Sequence, residues 1–282
     1  MITVTGASGR LGRLVVERLL DFVPAAQITA AVRSPDKVRD LADRGVQVRH
    51  ADYDQPATLA DAFHGEKRLL LISASEVGRR VPQHRAVIDA VKKEGVDLIA
   101  YTSILHADAS PLDLAQEHRE TEVLLAASGL PFVFLRNGWY TENFTDGVPA
   151  MLEQGALLGC AGDGQISSAA RADYAAAAAA VLTKQDQAGR IYELAGDSAY
   201  TLADVAAEVS RQSGKTVAYK NLSPEEYASA MVKAGLPEGL AALLANSQDG
   251  ASKGGLFDDS KQLSGLIGQP TTSLAETVKA AL

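Results

Sequence analysis

The sequence predicts an α/β protein built on a doubly wound parallel sheet, and three observations carry that prediction. Short β-branched or apolar runs alternate with helix-spaced segments six times before residue 140. The first run, Ile2–Thr5, leads straight into a turn with glycines at 6, 9 and 12, and then into a helix. Beyond residue 145 the alternation loosens into helices, turns and a late return to the sheet.

Leu11, Leu14, Val15 and Leu19 recur at helical spacing with Arg13, Glu17 and Arg18 opposite, which predicts a helix over 11–22 that Pro24 ends. Gln27–Val32 is a near-continuous apolar run, as a strand covered on both faces requires. Val46–Ala51, Arg68–Ser73, Asp97–Ser103 and Pro131–Asn137 are the next four strands. Helices are expected from Pro35, from Pro56 with Asp54 or Gln55 as cap, over 81–94 and over 112–128. Further on, Arg171–Leu182 is an alanine-rich helix with Asp173 in its first turn, and Arg190–Ala195 is another strand. Gly155–Gly164 reads as a loop. The tail supplies helices over 203–212, 224–234 and 239–244 and a strand near 217–220. Residues 1–144 with about 171–196 then form the sheet domain. About 145–170 with 197–282 form a smaller, discontinuous C-terminal α/β lobe that takes the substrate.

Composition narrows the partners. Lys and Arg number 27 against 35 Asp and Glu, a net charge of −8, which argues against nucleic acid or an anionic membrane as partner. No apolar stretch approaches the ~18 residues of a membrane span, and no leader is read ahead of the first strand. No membrane insertion and a cytoplasmic location are expected. Cys160 is the single cysteine, which rules out an intrachain disulfide and a thiolate metal cluster; it reads as a small filler. Histidines 50, 64, 84, 106 and 118 form no metal-type pair on one helix face, so no metal is expected. No Gly-x-Ser-x-Gly elbow is present. Gly214-Lys-Thr216 follows a helix and has Val209 where a P-loop needs glycine, so Gly214 reads as a helix C-cap.

The chemistry concentrates in the first turn. Gly6 permits a tight turn, Gly9 lets a ligand approach the backbone, and Gly12 lets the helix pack closely on the strand. With Ala7, Ser8, Arg10 and Leu11 they form a strand–turn–helix whose free N–H groups suit the pyrophosphate of a dinucleotide. About 20 residues on, an NAD site places an acid on the ribose 2′-OH. This chain instead has Arg33, with Lys37 four positions later. Arg33, Lys37 and Arg10 read either as a 2′-phosphate clamp or as solvated cations; the missing acid favours the clamp, and with it NADP(H). Asp52 and Tyr53 lie at the third strand's carboxyl end, the rim where an adenine rests. Ser73 ends the fourth strand, and Ala74 and Ser75 open its exit loop, Ala74–Gly78. The sixth runs into Gly138-Trp-Tyr-Thr-Glu-Asn-Phe144 at the same ligand-binding edge.

Thr5-Gly-Ala-Ser-Gly-Arg-Leu-Gly12, Arg33 and Tyr101-Thr-Ser103 together resemble the short-chain dehydrogenase/reductase superfamily, with its Rossmann fold, in the atypical NmrA-like branch. Leu70–Ser73, Glu117-His118, Leu135–Tyr140, Tyr192–Asp197 and Gly250–Asp259 look like the type-2 NADPH:quinone oxidoreductases of bacteria, and the likeness covers essentially the whole chain. The resemblance implies NADPH as donor, a small-molecule quinone as acceptor, no flavin, and Thr102 and Asn137 among the cofactor residues. A homodimer is the assembly kept open.

The superfamily's Tyr-x-x-x-Lys pair is missing: none of the eight tyrosines is followed four positions later by lysine. Where that pair would lie, His118 and Glu122 have the spacing. Reduction of an isolated carbonyl needs the acid because it makes a strongly basic alkoxide. Quinone reduction makes a hydroquinone anion whose oxygen resembles a phenolate of pKa about 10, so far less proton assistance is required. The expected chemistry is direct hydride transfer from the nicotinamide C4, with positioning supplying most of the rate. Tyr140 and Asn143 are expected to act in catalysis, Asn143 through a hydrogen bond to the developing oxyanion. Trp139, Phe144 and His118 are expected to bind substrate. The aromatics read alternatively as core, and His118 as an ordinary helix-surface residue. Arg136 reads as a ligand group or a structural ion-pair partner. Two rivals stay open: an NADP(H)-sensing regulator, and a reductase of a dye- or imine-type electrophile.

Overall fold

The computed structural model describes residues 1–282. The first half of the chain alternates strand and helix. It contains β1 (Ile2–Thr5), α1 (Arg10–Leu19), β2 (Ile28–Val32), α2 (Arg39–Asp43), β3 (Gln47–His50), α3 (Pro56–Phe63) and β4 (Arg68–Leu71). Then come α4 (Arg80–Glu94), β5 (Leu98–Ile104), α5 (Ala115–Ala127) and β6 (Phe132–Asn137). After them lie α6 (Glu142–Thr145), α7 (Val148–Gln154), β7 (Ala156–Gly159), α8 (Arg171–Thr183) and β8 (Ile191–Leu194). The last stretch holds α9 (Leu202–Ser213), β9 (Ala218–Asn221), α10 (Pro224–Lys233), α11 (Glu238–Ser252), α12 (Gln262–Ile267) and α13 (Leu274–Ala281).

Seven strands form one sheet in the order β3-β2-β1-β4-β5-β6-β8, and β1 to β6 run parallel. The chain starts at β1, builds outward to β3, and then returns to β4 on the other side of β1. Val4 accordingly stands between Ala30 and Leu70 in the register. Strand order thus reverses between β1 and β4, and their carboxyl ends open a crevice that no connection crosses. β1, β2 and β5 are buried along their whole length, as the apolar runs foretell. Helices pair on the sheet, α1 with α8 and α3 with α4. Leu59, Phe63, Leu69, Val87, Ile99, Tyr101, Leu125 and Phe134 belong to one buried cluster among these elements.

This is the doubly wound α/β fold that the sequence predicts, with several local corrections. The stretch read as a loop over 155–164 contains β7, which pairs in parallel with β9 through Ala156–Ala218 to Gly159–Asn221. A four-residue strand whose partner lies some sixty residues away leaves no alternation to read. The helix from Pro35 begins as a 3-10 turn, Pro35–Val38. Gln55 occupies the N-cap position of α3 with no side-chain cap, and Asp52 instead accepts the Asp54 N–H at 3.1 Å. Helix α11 runs to Ser252, beyond the expected 239–244. Gly214 closes α9 in the left-handed region, with its N–H on Ser210 O.

The chain divides into two compact units. The first holds Met1–Ile104, Glu117–Asn137 and Arg171–Tyr192; the second holds Leu105–Gln116, Gly138–Ala170 and Glu193–Leu282. Residues 105–116 and 138–144, read with the sheet domain from sequence, thus fall in the second unit. Their bonds explain it. Asp113 N–H donates to Asn246 Oδ1 at 3.0 Å, Thr141 N–H to Ala169 O at 3.0 Å, and Ala169 N–H to Trp139 O at 3.1 Å. Within this unit α9, α10 and α13 each begin with a reciprocal capping box, Thr201/Asp204, Ser223/Glu226 and Ser273/Glu276.

Candidate functional site

In the first unit a cavity of ≈ 250 Å³ opens at the carboxyl ends of the strands. Its walls follow the switch point. Gly6, Ser8 and Gly9 come from the turn after β1, Arg33 from the end of β2, and Ala51, Asp52 and Tyr53 from the end of β3. The segment Ile72–Glu76 comes from the exit of β4, and Gln83 from α4.

The turn after β1 is shaped for an anion. Gly6 sits at φ +60°, a conformation few side chains adopt, and the Gly9 N–H folds back onto its carbonyl at 2.9 Å. Helix α1 then begins with no side-chain cap and no acid in its first turn. Its leading N–H groups, left unsatisfied by the helix itself, carry the partial positive charge of the helix terminus. A Cβ on Gly12 would stand 2.4 Å from Gly6 O, so only glycine lets α1 lie this close to the turn.

At the far end of the cavity Arg33 pairs with Glu76 at 3.1 Å. Glu76 also pairs with Arg79 at 3.2 Å, and Arg79 with Asp54 at 2.8 Å. Lys37 lies outside the lining, on the exposed 3-10 turn, where its carbonyl accepts from Arg13 at 3.1 Å. Arg10 is exposed at the first position of α1. Tyr53 donates to Thr5 Oγ1 at 2.5 Å, and Thr5 donates to Leu70 O and accepts from Ile72 N, tying three strand ends together. Burial pushes the Tyr53 pKa up, so it stays a neutral phenol. Ser73 N–H donates to Thr102 Oγ1 at 2.9 Å. Asn137, at the carboxyl end of β6, is buried with its Oδ1 lacking any partner.

The remaining sequence candidates separate. His118 is not a helix-surface residue: it is 4% exposed, and its Nδ1 lies 2.7 Å from the buried Tyr101 hydroxyl. Burial holds its pKa well below the usual value, so the ring is neutral. Arg136 pairs with Glu122 at 2.8 Å with both side chains buried, and Ser103 donates to the same carboxylate at 2.6 Å, which makes Arg136 a structural partner. Trp139, Tyr140, Asn143 and Phe144 belong to the second unit, with Trp139 and Tyr140 half-buried, Asn143 exposed and Phe144 buried. The sequence did not mark Ala51, Ile72, Glu76 and Gln83 of the lining. Glu76 lies within the exit loop Ala74–Gly78 and Gln83 follows it by five residues, which was the available signal. No group of three or more His, Cys, Asp or Glu side chains is placed to hold a metal ion.

A family model described as NAD(P)H-binding matches residues 6–185, starting on the glycine turn. The chain belongs to the NAD(P)H-binding family. Within it, the chain is an NmrA-like member. It is 59% identical to quinone oxidoreductase 2 of Escherichia coli over 278 residues, 99% of this chain and 97% of that relative. The solved structure of the Escherichia coli NADPH-dependent quinone oxidoreductase complexed with NADPH superposes with a TM-score of 0.97 over 99% of both chains. The Citrobacter triphenylmethane reductase complexed with NADP(H) is 42% identical, with a TM-score of 0.96 over the whole of both chains.

Proposed function

We propose that this chain is an NADPH-dependent quinone oxidoreductase acting by direct hydride transfer, without flavin or metal. The observation that carries it is the likeness to quinone oxidoreductase 2 over 99% of the chain, joined to a cavity that suits the phosphorylated dinucleotide. The residues fit that cofactor. An uncapped, acid-free helix start suits the pyrophosphate, Arg33 and Lys37 suit the 2′-phosphate, with Arg10 beside the turn, and the orphaned Asn137 Oδ1 lacks the kind of N–H that a carboxamide offers. When bound, NADPH supplies a hydride from its nicotinamide C4.

The chain's own part is to hold and orient. Gly6 to Gly12 cradle the phosphates, Asp52 and Tyr53 border the adenosine, and Ser73–Ser75 with Thr102 and Asn137 hold the remaining half. We assign 138–170 and 193–282 to substrate recognition, with Tyr140 and Asn143 as the residues acting on the acceptor and Trp139 beside them, while the buried Phe144 backs that segment; the buried His118, of the first unit, is bonded to Tyr101 and is assigned no direct contact. The exposed Asn143 amide is free of any need to titrate and can donate to an oxyanion at any pH in the working range. No strong acid is required, since the quinone oxygen that takes up the negative charge becomes phenolate-like. The same reading carries a cytoplasmic setting, in keeping with the free Cys160, and a homodimer, which light scattering checks.

The test is a panel of quinones and cationic triphenylmethane dyes, followed through loss of the reduced nicotinamide absorbance. Quinones should be reduced with the higher kcat/KM, and Asn143→Ala should lower that value roughly 100-fold. A general preference for dyes would move the substrate assignment to that class. Tight NADPH binding with no acceptor reduced would identify a nucleotide sensor instead.

A further inference from the structure

The exit from β4 forms one wall of the cavity, yet it belongs to no sheet or helix. β4 ends at Leu71 and α4 begins at Arg80, so the backbone groups of Ala74 have no ladder to join. Backbone polar groups partly withdrawn from water need partners, and for the half-buried Ala74 both come from side chains of α4. The Ala74 N–H donates to His84 Nε2 at 2.9 Å, and Arg80 Nε donates to Ala74 O at 2.5 Å.

These bonds fix the state of the His84 ring. A backbone N–H only donates, so Nε2 must accept and carry no proton. The proton therefore sits on Nδ1, which faces Thr121 Oγ1 of α5 at 2.9 Å. Thr121 can accept because its own hydroxyl donates to Glu117 O at 2.9 Å. Only one assignment satisfies all three bonds: a neutral, Nδ1-protonated imidazole. An imidazolium would turn a second donor on the Ala74 N–H. Beyond Ala74, Glu117 Oε1 accepts from the N–H groups of Gly78 at 3.1 Å and Arg80 at 3.3 Å, so α5 also holds the loop's far end. His84 and Thr121 are fully buried and neither lines the cavity, while Ser73, Ala74 and Ser75 do.

We propose that His84 is a positioning residue of the cofactor site: as a permanently neutral ring seated on Thr121, it pins the Ala74 peptide and sets the Ser73–Ser75 wall against which NADPH binds. The inference rests on the cofactor reading of this cavity and is independent of the acceptor. Burial and the Arg80 charge, which hold the His84 pKa down to about 3, keep the ring in this state throughout the working range. The arrangement supplies two fixed hydrogen bonds to a segment that no secondary structure orders, which is preorganisation by neighbours that never touch the ligand.

Calorimetric titration of the full-length protein with NADPH tests it. His84→Gln retains an acceptor near the Nε2 position and should bind within about threefold of the unaltered protein, whereas His84→Leu leaves the amide orphaned and should bind about tenfold or more weakly. Thr121→Ser should bind normally, and Thr121→Val should weaken NADPH in the same direction as His84→Leu. Should His84→Leu fail to fold, the Thr121 pair makes the same comparison. Nitrogen-15 spectra of the unaltered protein should show the His84 ring in the Nδ1–H form without titration between about pH 6 and pH 8. The inference is overturned if the Leu and Gln variants bind alike, if Thr121→Val binds like Thr121→Ser, or if Nε2 carries the proton. Absence of NADPH binding by the unaltered protein would overturn the cofactor reading itself.

Discussion

Arg33 pairs with Glu76 across an exposed contact in which the arginine side chain is 64% accessible. Such a pair contributes little, so a 2′-phosphate can displace the carboxylate and accept a stronger, bidentate contact. Arg33→Asp should therefore weaken NADPH binding about tenfold or more and leave NADH within about threefold, as read by fluorescence titration. Equal loss for both nucleotides would show that Arg33 does not meet the 2′-phosphate. The buried rings make a different prediction. His84 and His118 have folded pKa values below the usual 6.5, His84 at about 3. As pH falls through 6.5 the unfolded chain takes up these protons and the folded chain does not. Their stabilisation is thus complete above pH 6.5 and declines below it, by ~1.4 kcal/mol per pH unit for each ring. The urea midpoint should fall between about pH 7.5 and pH 5.5, and His84→Gln should remove part of that fall. A midpoint flat over this range would contradict the burial of neutral rings. Residues such as Gly6, Arg33, Asp52 and Ser73 could be marked in the sequence because each lies within two residues of a strand's carboxyl end. His84, Arg80 and Thr121 could not, because α4 and α5 bring them together from 37 residues apart.

At the scale of elements, the approach of α1 to β1 decides whether the cradle forms. A methyl at position 12 would meet Gly6 O at 2.4 Å and Ala7 Cα at 2.8 Å, both backbone atoms that cannot rotate away. Gly12→Ala should therefore lower stability by about 1–3 kcal/mol and weaken NADPH binding, since the helix must back off from the turn. Calorimetric melting together with nucleotide titration checks both; an unchanged melting temperature would show that the turn accommodates a methyl group. β1, β2 and β5 were legible because burial on both faces leaves near-continuous apolar runs, and the half-buried β3 and β8 through their place in the strand–helix alternation. β7 was not, because Ala156–Gly159 is short, sits between glycines and pairs only with the distant β9. Its neighbours α6 and α7 are likewise too short to display a helical period.

For the whole molecule, order along the chain and membership in a unit diverge. Six βα steps in succession announced the sheet. Leu105–Gln116, lying between β5 and most of α5, nevertheless belongs with the second unit, through long-range bonds such as Asp113 to Asn246 that no local pattern encodes. The chemistry divides in the same way. The proposed cofactor cradle is local to the strand ends of the first unit and could be read early, while the lobe to which acceptor recognition is assigned is discontinuous in sequence. Neither unit offers a cluster of metal-ligating side chains, and the eight tyrosines include none with the lysine spacing of carbonyl reductases. In the proposed reaction the hydride donor and its placement supply the chemical step. Comparing NADPH with its C4-deuterated form, on flavin-free protein with a benzoquinone, tests this most directly. NADPH and quinone should be consumed in equimolar amounts, more slowly with the deuterated donor. Tight binding of NADPH with no consumption would contradict the proposed reaction.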